Sequence, residues 1–486
     1  MKEPRERIDF RANVQSASPA VVAATQTSTR TALRKRAEVV AAFGEERWQQ
    51  LRQAGHDIRL HGLTHLDRYL PLLEERVTAA GGRVHWAVDA GEANRIVREI
   101  AARHNVRSIV KSKSMVSEET GLNHALEAQG IRVYETDLGE FIVQLAGQKP
   151  SHITAPALHM TKEEIAALFR EKLQVDARPV PEELTELARR RLRKEFLDAG
   201  MGISGGNFLI AETGTLLIVT NEGNGRMSTT LPPVHVAVVG IEKVIPDWES
   251  AAVLLKLLAR STSGSKITAY NTCITGTREG GPQEFHLVLL DNGRSRILAD
   301  ETAREALLCI RCGACMNTCP VYNHVGGYAY GAVYQGPIGA MLTPLLMGTR
   351  IAGALPFAST LCGACAELCP VKIPIPEILL HLRHRYVEGD ASEGPSLPGE
   401  LKAAARAGRL VMGTPWLYRL AGRAGRVFQA PFRRGDWLPH LPPPLNRWTA
   451  VRPFPAFGRD FRAWWKKRKA AEAGPAGRDS RGGGHG

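Results

Sequence analysis

The sequence predicts an α/β domain joined to a helical cysteine-rich domain and followed by a basic C-terminal extension. Three observations carry this. Short apolar runs alternate with amphipathic helices through residues 76–300, the pattern of a mainly parallel sheet. Seven of the eight cysteines lie between Cys309 and Cys369, and Cys273 stands apart. The net charge of +14 falls almost wholly in residues 400–486, where 18 Lys/Arg face 5 Asp/Glu.

At roughly 100–200 residues per domain, 486 residues suggest two to four domains. With 44% hydrophobic and 23% charged residues, the composition excludes a collagen-like, disordered or disulfide-scaffold chain. No run approaches the ~20 apolar residues of a membrane helix; residues 251–259 (AAVLLKLLA) are too few and carry Lys256. The N-terminal MKEPRERIDFRANVQ has charge but no apolar h-region, so the expected location is the cytoplasm.

The elements follow in order. Residues 1–75 are polar, with helical spacing at 31–51 and 65–77, and read as helices packed outside a core. In the α/β domain, 83–88, 108–111, 132–135, 215–220 and 235–240 read as strands, and 266–274 and 284–290 alternate like further strands. Residues 92–104, 118–129, 161–173 and 181–199 read as helices. The cysteine domain spans 301–385, with an apolar helix at 338–347 between its motifs. From 390 to 486, Pro, Gly, Arg and Trp dominate, and 478–486 (RDSRGGGHG) reads as disordered.

The first cysteine motif, Cys309-Ile-Arg-Cys312-Gly-Ala-Cys315-Met-Asn-Thr-Cys319-Pro320, is the C-x2-C-x2-C-x3-C-P run of bacterial ferredoxins. Three thiolates two residues apart wrap one face of a cubane, and a turn sends the fourth to a neighbouring cluster. Zinc sites more often separate two C-x2-C pairs by a longer loop. The second motif, Cys362-Gly-Ala-Cys365-Ala-Glu-Leu-Cys369-Pro370, repeats the ending, with Ser359 where a leading cysteine would stand. If both fourth cysteines cross over, one [4Fe-4S] cluster takes Cys309, Cys312, Cys315 and Cys369. The other takes Cys319, Cys362 and Cys365, with Ser359, water, another side chain or nothing as its fourth ligand. Paired clusters suit relay of single electrons. Cys273 reads as a small buried hydrophobe.

Ligands of open α/β sheets bind beyond the carboxyl ends of strands. Two loops fit that position: Lys111-Ser-Lys113-Ser, and the segment from Thr220 through Asn221 to Arg226. With Asn207 and Glu212 they make a candidate small-anion pocket; the alternative is ordinary turns, with Gly223 and Gly225 at positive φ. His152, His159, His235 and His286 lack a metal-ligand spacing and read as structural. Glu118-Glu119 and Glu163-Glu164 sit in first helical turns, where they suit the helix dipole. There is no nucleophile elbow, P-loop or strand-borne G-x-G-x-x-G, and no catalytic residue is assigned. The tail holds Trp416, Trp437, Trp448, Trp464 and Trp465 among arginines, which suits an acidic partner or an anionic membrane surface on the inner face of the membrane. No nucleic-acid motif accompanies it.

The cysteine motifs, with GGYAYGAVYQGPIGAMLTPLL between them and CPVKIPIPEILL after, resemble the lactate utilization protein B family. So do KSKSMVSEETGLNHALEAQGIRVYETDLGEFIVQL at 111–145 and SGGNFLIAETGTLLIVTNEGNGR at 204–226. The resemblance runs from about residue 60 to 385 and continues more weakly through the tail. It implies a lactate-utilization domain similar in fold to ribose-5-phosphate isomerase and CoA-transferase sheets. It also implies two [4Fe-4S] clusters, one with four cysteines and one with three. The implied role is electron transfer in oxidation of L-lactate to pyruvate, beside a cysteine-rich protein and a second lactate-utilization-domain protein. The competing reading is a self-sufficient hydroxy-acid oxidoreductase with its substrate site in the α/β domain. No flavin or nicotinamide motif supports that second reading.

Overall fold

The computed structural model describes residues 7–472 apart from 16–17, 390–393, 395–396, 398, 444, 451 and 459–460. The expected disorder of 478–486 lies outside them. The chain divides into two units, Met1–Ser396 and Leu397–Gly486. Among the described residues no helix is long and apolar enough to cross a membrane.

The first unit is built on ten strands: β1 Arg83–Ala87, β2 Ser108–Lys111, β3 Arg132–Glu135, β4 Met201–Ser204, β5 Phe208–Ile210, β6 Thr215–Thr220, β7 Val234–Gly240, β8 Val244–Ile245, β9 Tyr270–Ile274 and β10 Glu284–Leu290. Six form a parallel sheet in the order β1-β10-β7-β4-β2-β3. Its central strands, VHVAVVG and EFHLVLL, are nearly continuous apolar runs because helices or loops cover both faces. Val236, Val238, Val288 and Leu290 share a core with Ile96, Val97 and Ile100 of the helix Ala90–Arg103. The alternate residues Ala237, Val239, Leu287 and Leu289 face the other way. They join a larger core that runs through the second sheet, β8-β5-β6-β9, into the cysteine-bearing segment, where it includes Cys312, Cys315 and Met341.

The N-terminal helices differ from expectation. The helix expected over 31–51 is the end of Pro19–Phe43, a break at Gly44 and the start of Glu45–Thr64, while that expected over 65–77 is Leu66–Ala79. They belong to the core, which takes in Trp48, Leu63 and Leu73. They read as surface helices because their inward faces also carry arginines. Arg52 and Arg59 are buried and donate to main-chain carbonyls, so charge conceals the apolar stripe.

Three short strands, β4, β5 and β8, are absent from the sequence reading; at two to four residues they are too short to show a period. The helix expected over 118–129 is broken at Gly121, whose φ of 66° ends Met115–Thr120 before Leu122–Glu127 begins. The strand expected at 266–274 pairs only from Tyr270, as an edge strand beside β6. The apolar linker forms the helix Gly336–Met347.

The second unit contains helices Gly399–Gly413, Pro415–Phe428 and Phe461–Glu472 and a two-stranded ladder, Trp437–Leu438 with Phe454–Pro455. The five tail tryptophans are exposed.

Candidate functional site

The two cysteine motifs fold alike. Arg311 and Leu361 take φ of 61° and 55°, each just before a cysteine. Gly313 and Gly363 follow at 77° and 85°, a conformation that disfavours any Cβ. Short helices come next, Ala314–Thr318 and Ala364–Leu368, packed on each other, then Cys319-Pro320 and Cys369-Pro370. Sulfurs accept main-chain N–H groups: Cys309 Sγ from Arg311 at 3.3 Å, Cys319 Sγ from Tyr322 at 3.5 Å and Cys369 Sγ from Ile373 at 3.4 Å.

The thiols gather in two sets that cross between the motifs. Burial pushes Cys312 and Cys315 up, and Cys309 and Cys369 push both further. Burial likewise raises Cys369 to about 11, with Cys309 adding to it. In the second set, burial and then Cys319 raise Cys365 to about 12, and Cys362 adds to the effect. Each short helix thus has one thiol of each set at its ends, four residues or about 6 Å of helix rise apart.

Cys309, Cys312, Cys315 and Cys369 line an apolar cavity with Ile153, Ile310, Ile338, Val371 and Ile373. This dry surround excludes water from whatever the thiols hold. A tetrahedral zinc with Zn–S of about 2.3 Å would draw its sulfurs to about 3.8 Å from one another. Among the described residues no three cysteine sulfurs lie within 4.8 Å of one another. That geometry fits a cubane better than a single ion. The raised thiols stay protonated until metal displaces the protons.

The surroundings of the two sets differ. Arg36, Arg52, Arg59, Lys243 and Arg311 all act electrostatically on cysteines of the four-thiol set. Arg36 donates to Leu368 O at 3.2 Å, and Arg52 to Cys369 O at 2.9 Å and Ala366 O at 3.3 Å. The three-thiol set is more open, with Cys362 exposed. Ser359 Oγ accepts Leu361 N at 3.1 Å, and Leu361 precedes Cys362. The sequence reading missed the arginine shell, since nothing local ties residues 36–59 to cysteines some 300 positions away. Cys273 is exposed on β9 rather than buried, because an edge strand shows one face to solvent.

A second cavity, of about 290 Å³, opens at the carboxyl ends of the parallel strands. Ser112, Lys113 and Ser114 line it after β2, Asp137 after β3, Gly205 and Gly206 after β4, and Asn207, Thr220 and Asn221 beside the second sheet. Of the expected pocket residues, Lys113, Asn207 and Asn221 are therefore together. Lys111, Glu212 and Arg226 are not. Lys111 is fully buried in ion pairs with Glu135 at 2.7 Å and Glu118 at 3.2 Å. Glu212 is exposed, and Arg226 is exposed and stacks over Tyr270 at 4.9 Å. Gly223 and Gly225 do not take positive φ; a Cβ on Gly225 would lie 2.9 Å from Thr220 Cγ2.

Lys243 and Arg311 also line this cavity, which the sequence reading did not foresee. Burial, with Arg311 beside it, brings Lys243 down to about 7. Beneath them lies a buried network: Arg294 pairs bidentately with Glu119 at 2.9 Å and with Glu242 at 2.5 Å, and Tyr334 donates to Glu119 at 2.7 Å. Glu119 thus serves this network rather than a helix dipole, while Glu164 closes a capping box with Thr161.

The four histidines all make internal hydrogen bonds. His152 accepts from Thr154 N at 3.1 Å, His159 pairs with Ser151 at 2.8 Å, His235 with Ser204 at 2.8 Å and His286 with Glu284 at 3.0 Å. His286, Glu284 and His104 also gather within 4.8 Å at the start of β10.

The LUD domain family matches residues 70–298, and the 4Fe-4S dicluster domain family matches residues 305–373. Lactate utilization protein B of Shouchella clausii is 47% identical over 435 residues, covering 87% of this chain and 89% of the relative. The protein of the same name from Bacillus subtilis is 46% identical over 444 residues, covering 90% and 91%. An uncharacterized electron transport protein, YkgF of Escherichia coli, is 45% identical over 430 residues, covering 87% and 89%. A DUF162 family crystal structure from Deinococcus radiodurans covers 46% of this chain and 98% of its own at 14% identity and TM-score 0.27, too weak a likeness to bear on the fold.

Proposed function

Because the chain belongs to the lactate utilization protein B family, we propose that it is an iron–sulfur protein of lactate utilization that carries electrons in the oxidation of L-lactate to pyruvate. Cys309, Cys312, Cys315 and Cys369 hold one [4Fe-4S] cluster; Cys319, Cys362 and Cys365 hold the other. The observation that carries this is the crossed gathering of seven thiols on two packed helices and the loops that precede them. When bound, such clusters each take up and release one electron, so a pair accommodates the two electrons of an alcohol-to-ketone oxidation. The chain's residues do the rest. Isoleucines and Val371 keep water from the four-cysteine site, main-chain amides donate to its sulfurs, and arginines offset its negative charge.

In this reading the sheet shares the ribose-5-phosphate isomerase and CoA-transferase type of architecture. Lactate is oxidised in concert with a cysteine-rich protein and a second lactate-utilization-domain protein. The test is anaerobic stopped-flow spectroscopy of the cluster absorbance. L-lactate alone leaves the purified holoprotein oxidised, and L-lactate with both partner proteins bleaches it within the turnover time. Rapid bleaching by L-lactate alone would instead establish the self-sufficient oxidoreductase.

The tail supports a second element, docking on an anionic membrane surface. Helix Pro415–Phe428 exposes Trp416, Leu420, Val427 and Phe428 beside Arg419, Arg423 and Arg426. Binding to anionic vesicles that weakens with salt and disappears when the chain ends at residue 395 is the expected result; retention by the shortened chain refutes it.

A further inference from the structure

The 290 Å³ cavity and the four-cysteine site share a wall: Ile153 and Arg311 line both. Arg311 links them directly, since its main-chain N–H donates to Cys309 Sγ at 3.3 Å while its side chain borders the cavity. Two cationic side chains in that lining keep an unfilled donor, although Arg311 Nη2 already pairs with Glu242 Oε1 at 3.6 Å and its guanidinium lies over Tyr334 at 4.7 Å. Lys113 Nζ and Arg311 Nη1 are both buried without a hydrogen bond. Lys113 comes from the loop after β2 and Arg311 from the first cysteine loop, so the two stand on different walls of one space. A buried donor left without an acceptor is costly, and a bound acceptor recovers that cost.

Lys243 adds a further amino donor, which reaches Cys309 O at 3.4 Å. Asp137 and Glu222 are the acidic members of the lining, and both act electrostatically on Lys113 without accepting a hydrogen bond from it. Asp137 is committed to capping the helix Leu138–Leu145, where its Oδ1 accepts Glu140 N at 3.1 Å. Neutral oxygens and amides complete the wall at Ser112, Thr220, Asn221 and Asn224. The glycines of the β4–β5 loop are needed to form it, since a Cβ on Gly205 would lie 2.6 Å from Ser114 Oγ and one on Gly206 2.6 Å from Leu216 Cδ1. The volume is at the lower end for small-molecule sites, which limits the occupant to a few heavy atoms beyond its anionic group.

We propose that this cavity binds a small monocarboxylate bearing an oxygen on its second carbon, a 2-hydroxy or 2-oxo acid, with the carboxylate on Lys113 and Arg311. The second oxygen is received by the hydroxyl and amide groups of the lining. This rests on the electron-carrier reading in one respect: occupancy is sensed by the cluster on the far side of Arg311. The binding site itself stands on the cavity alone.

The experiment is anaerobic calorimetric titration of the holoprotein with pyruvate, with inorganic phosphate as the comparison anion. Electron paramagnetic resonance of the dithionite-reduced protein is recorded with and without pyruvate. Saturable pyruvate binding is expected, at least tenfold weaker in Lys113→Met and unchanged in Arg226→Ala, whose side chain lies outside the cavity. If Lys113→Met fails to fold, Asn221→Ala is the second variant, with a severalfold loss expected. Pyruvate is also expected to shift the spectrum of one cluster and leave the other unchanged. No pyruvate binding to protein with full iron content overturns the site and leaves the electron-carrier reading intact. Tighter binding of phosphate than of pyruvate overturns the carboxylate class. Normal pyruvate binding to protein that cannot assemble clusters upholds the site while the electron-carrier reading fails.

Discussion

Arg59→Met tests how the N-terminal helices hold the cysteine domain. Arg59 is fully buried and donates to Leu308 O at 3.2 Å, Leu307 O at 2.9 Å, Val244 O at 3.4 Å and Glu242 O. One guanidinium thereby ties the helix Glu45–Thr64 to the end of the sheet and to the two residues before Cys309. Burial lowers its pKa to about 10, so it stays charged at neutral pH. Hydrogen bonds from a charged donor contribute about 1.5–3 kcal/mol each, or about 6–12 kcal/mol for four. Burying the guanidinium costs several kcal/mol, and methionine recovers that cost while leaving the carbonyls without donors. The net loss expected is about 3–5 kcal/mol. Anaerobic urea unfolding, followed by far-ultraviolet circular dichroism and cluster absorbance, measures it. Arg47→Met, on the same helix but exposed, serves as the control and should change stability by less than about 0.5 kcal/mol. A loss below about 1 kcal/mol for Arg59→Met, or no earlier release of the clusters, would refute the reasoning.

Other expectations follow from the same structure. Burial holds His235 down at about 3, so between that value and the ordinary ~6.5 the unfolded chain binds a proton that the folded chain does not. Stability therefore falls as pH drops through this window, by about 1.4 kcal/mol per unit from this group, and His235→Asn should flatten the slope between pH 5.5 and 4.5, tested by unfolding at both. Cys309→Ser should lower iron content and stability together, whereas Cys273→Ser should keep full iron by colorimetric assay. Ser359→Cys should slow the loss of iron from the three-cysteine cluster in air, because a thiolate binds iron more strongly than a hydroxyl.

Much of the fold could be read from the sequence where elements were long or strongly apolar. β7 and β10 were visible as Val- and Leu-rich runs, and the helix Lys162–Leu173 by its charged first turn. What escaped was short or depended on distant partners. β8 has two residues, and the buried side of Glu45–Thr64 is masked by arginines whose acceptors lie elsewhere in the chain. The motif spacing marked the seven cysteines as one constellation, but their division into four and three rested on an assumed crossing of the fourth cysteines and on the family resemblance. The cavity was only half legible. Loop position pointed to Lys113, Asn207 and Asn221, but Lys111 alternates to the opposite side of its strand, where carboxylates await it. Lys243 and Arg311 reach the cavity only through the tertiary fold.

The most direct test of the account is to remove each crossing cysteine and watch which cluster survives. Cys369→Ser and Cys319→Ser are purified anaerobically, exposed briefly to air and examined by electron paramagnetic resonance for a three-iron signal, which is expected from the three-cysteine cluster with its exposed Cys362. If the ligands cross as proposed, Cys369→Ser keeps that signal, because Cys319, Cys362 and Cys365 are intact, and Cys319→Ser loses it. The opposite outcome, with the signal lost in Cys369→Ser and kept in Cys319→Ser, would contradict the two-cluster arrangement on which the proposed function stands.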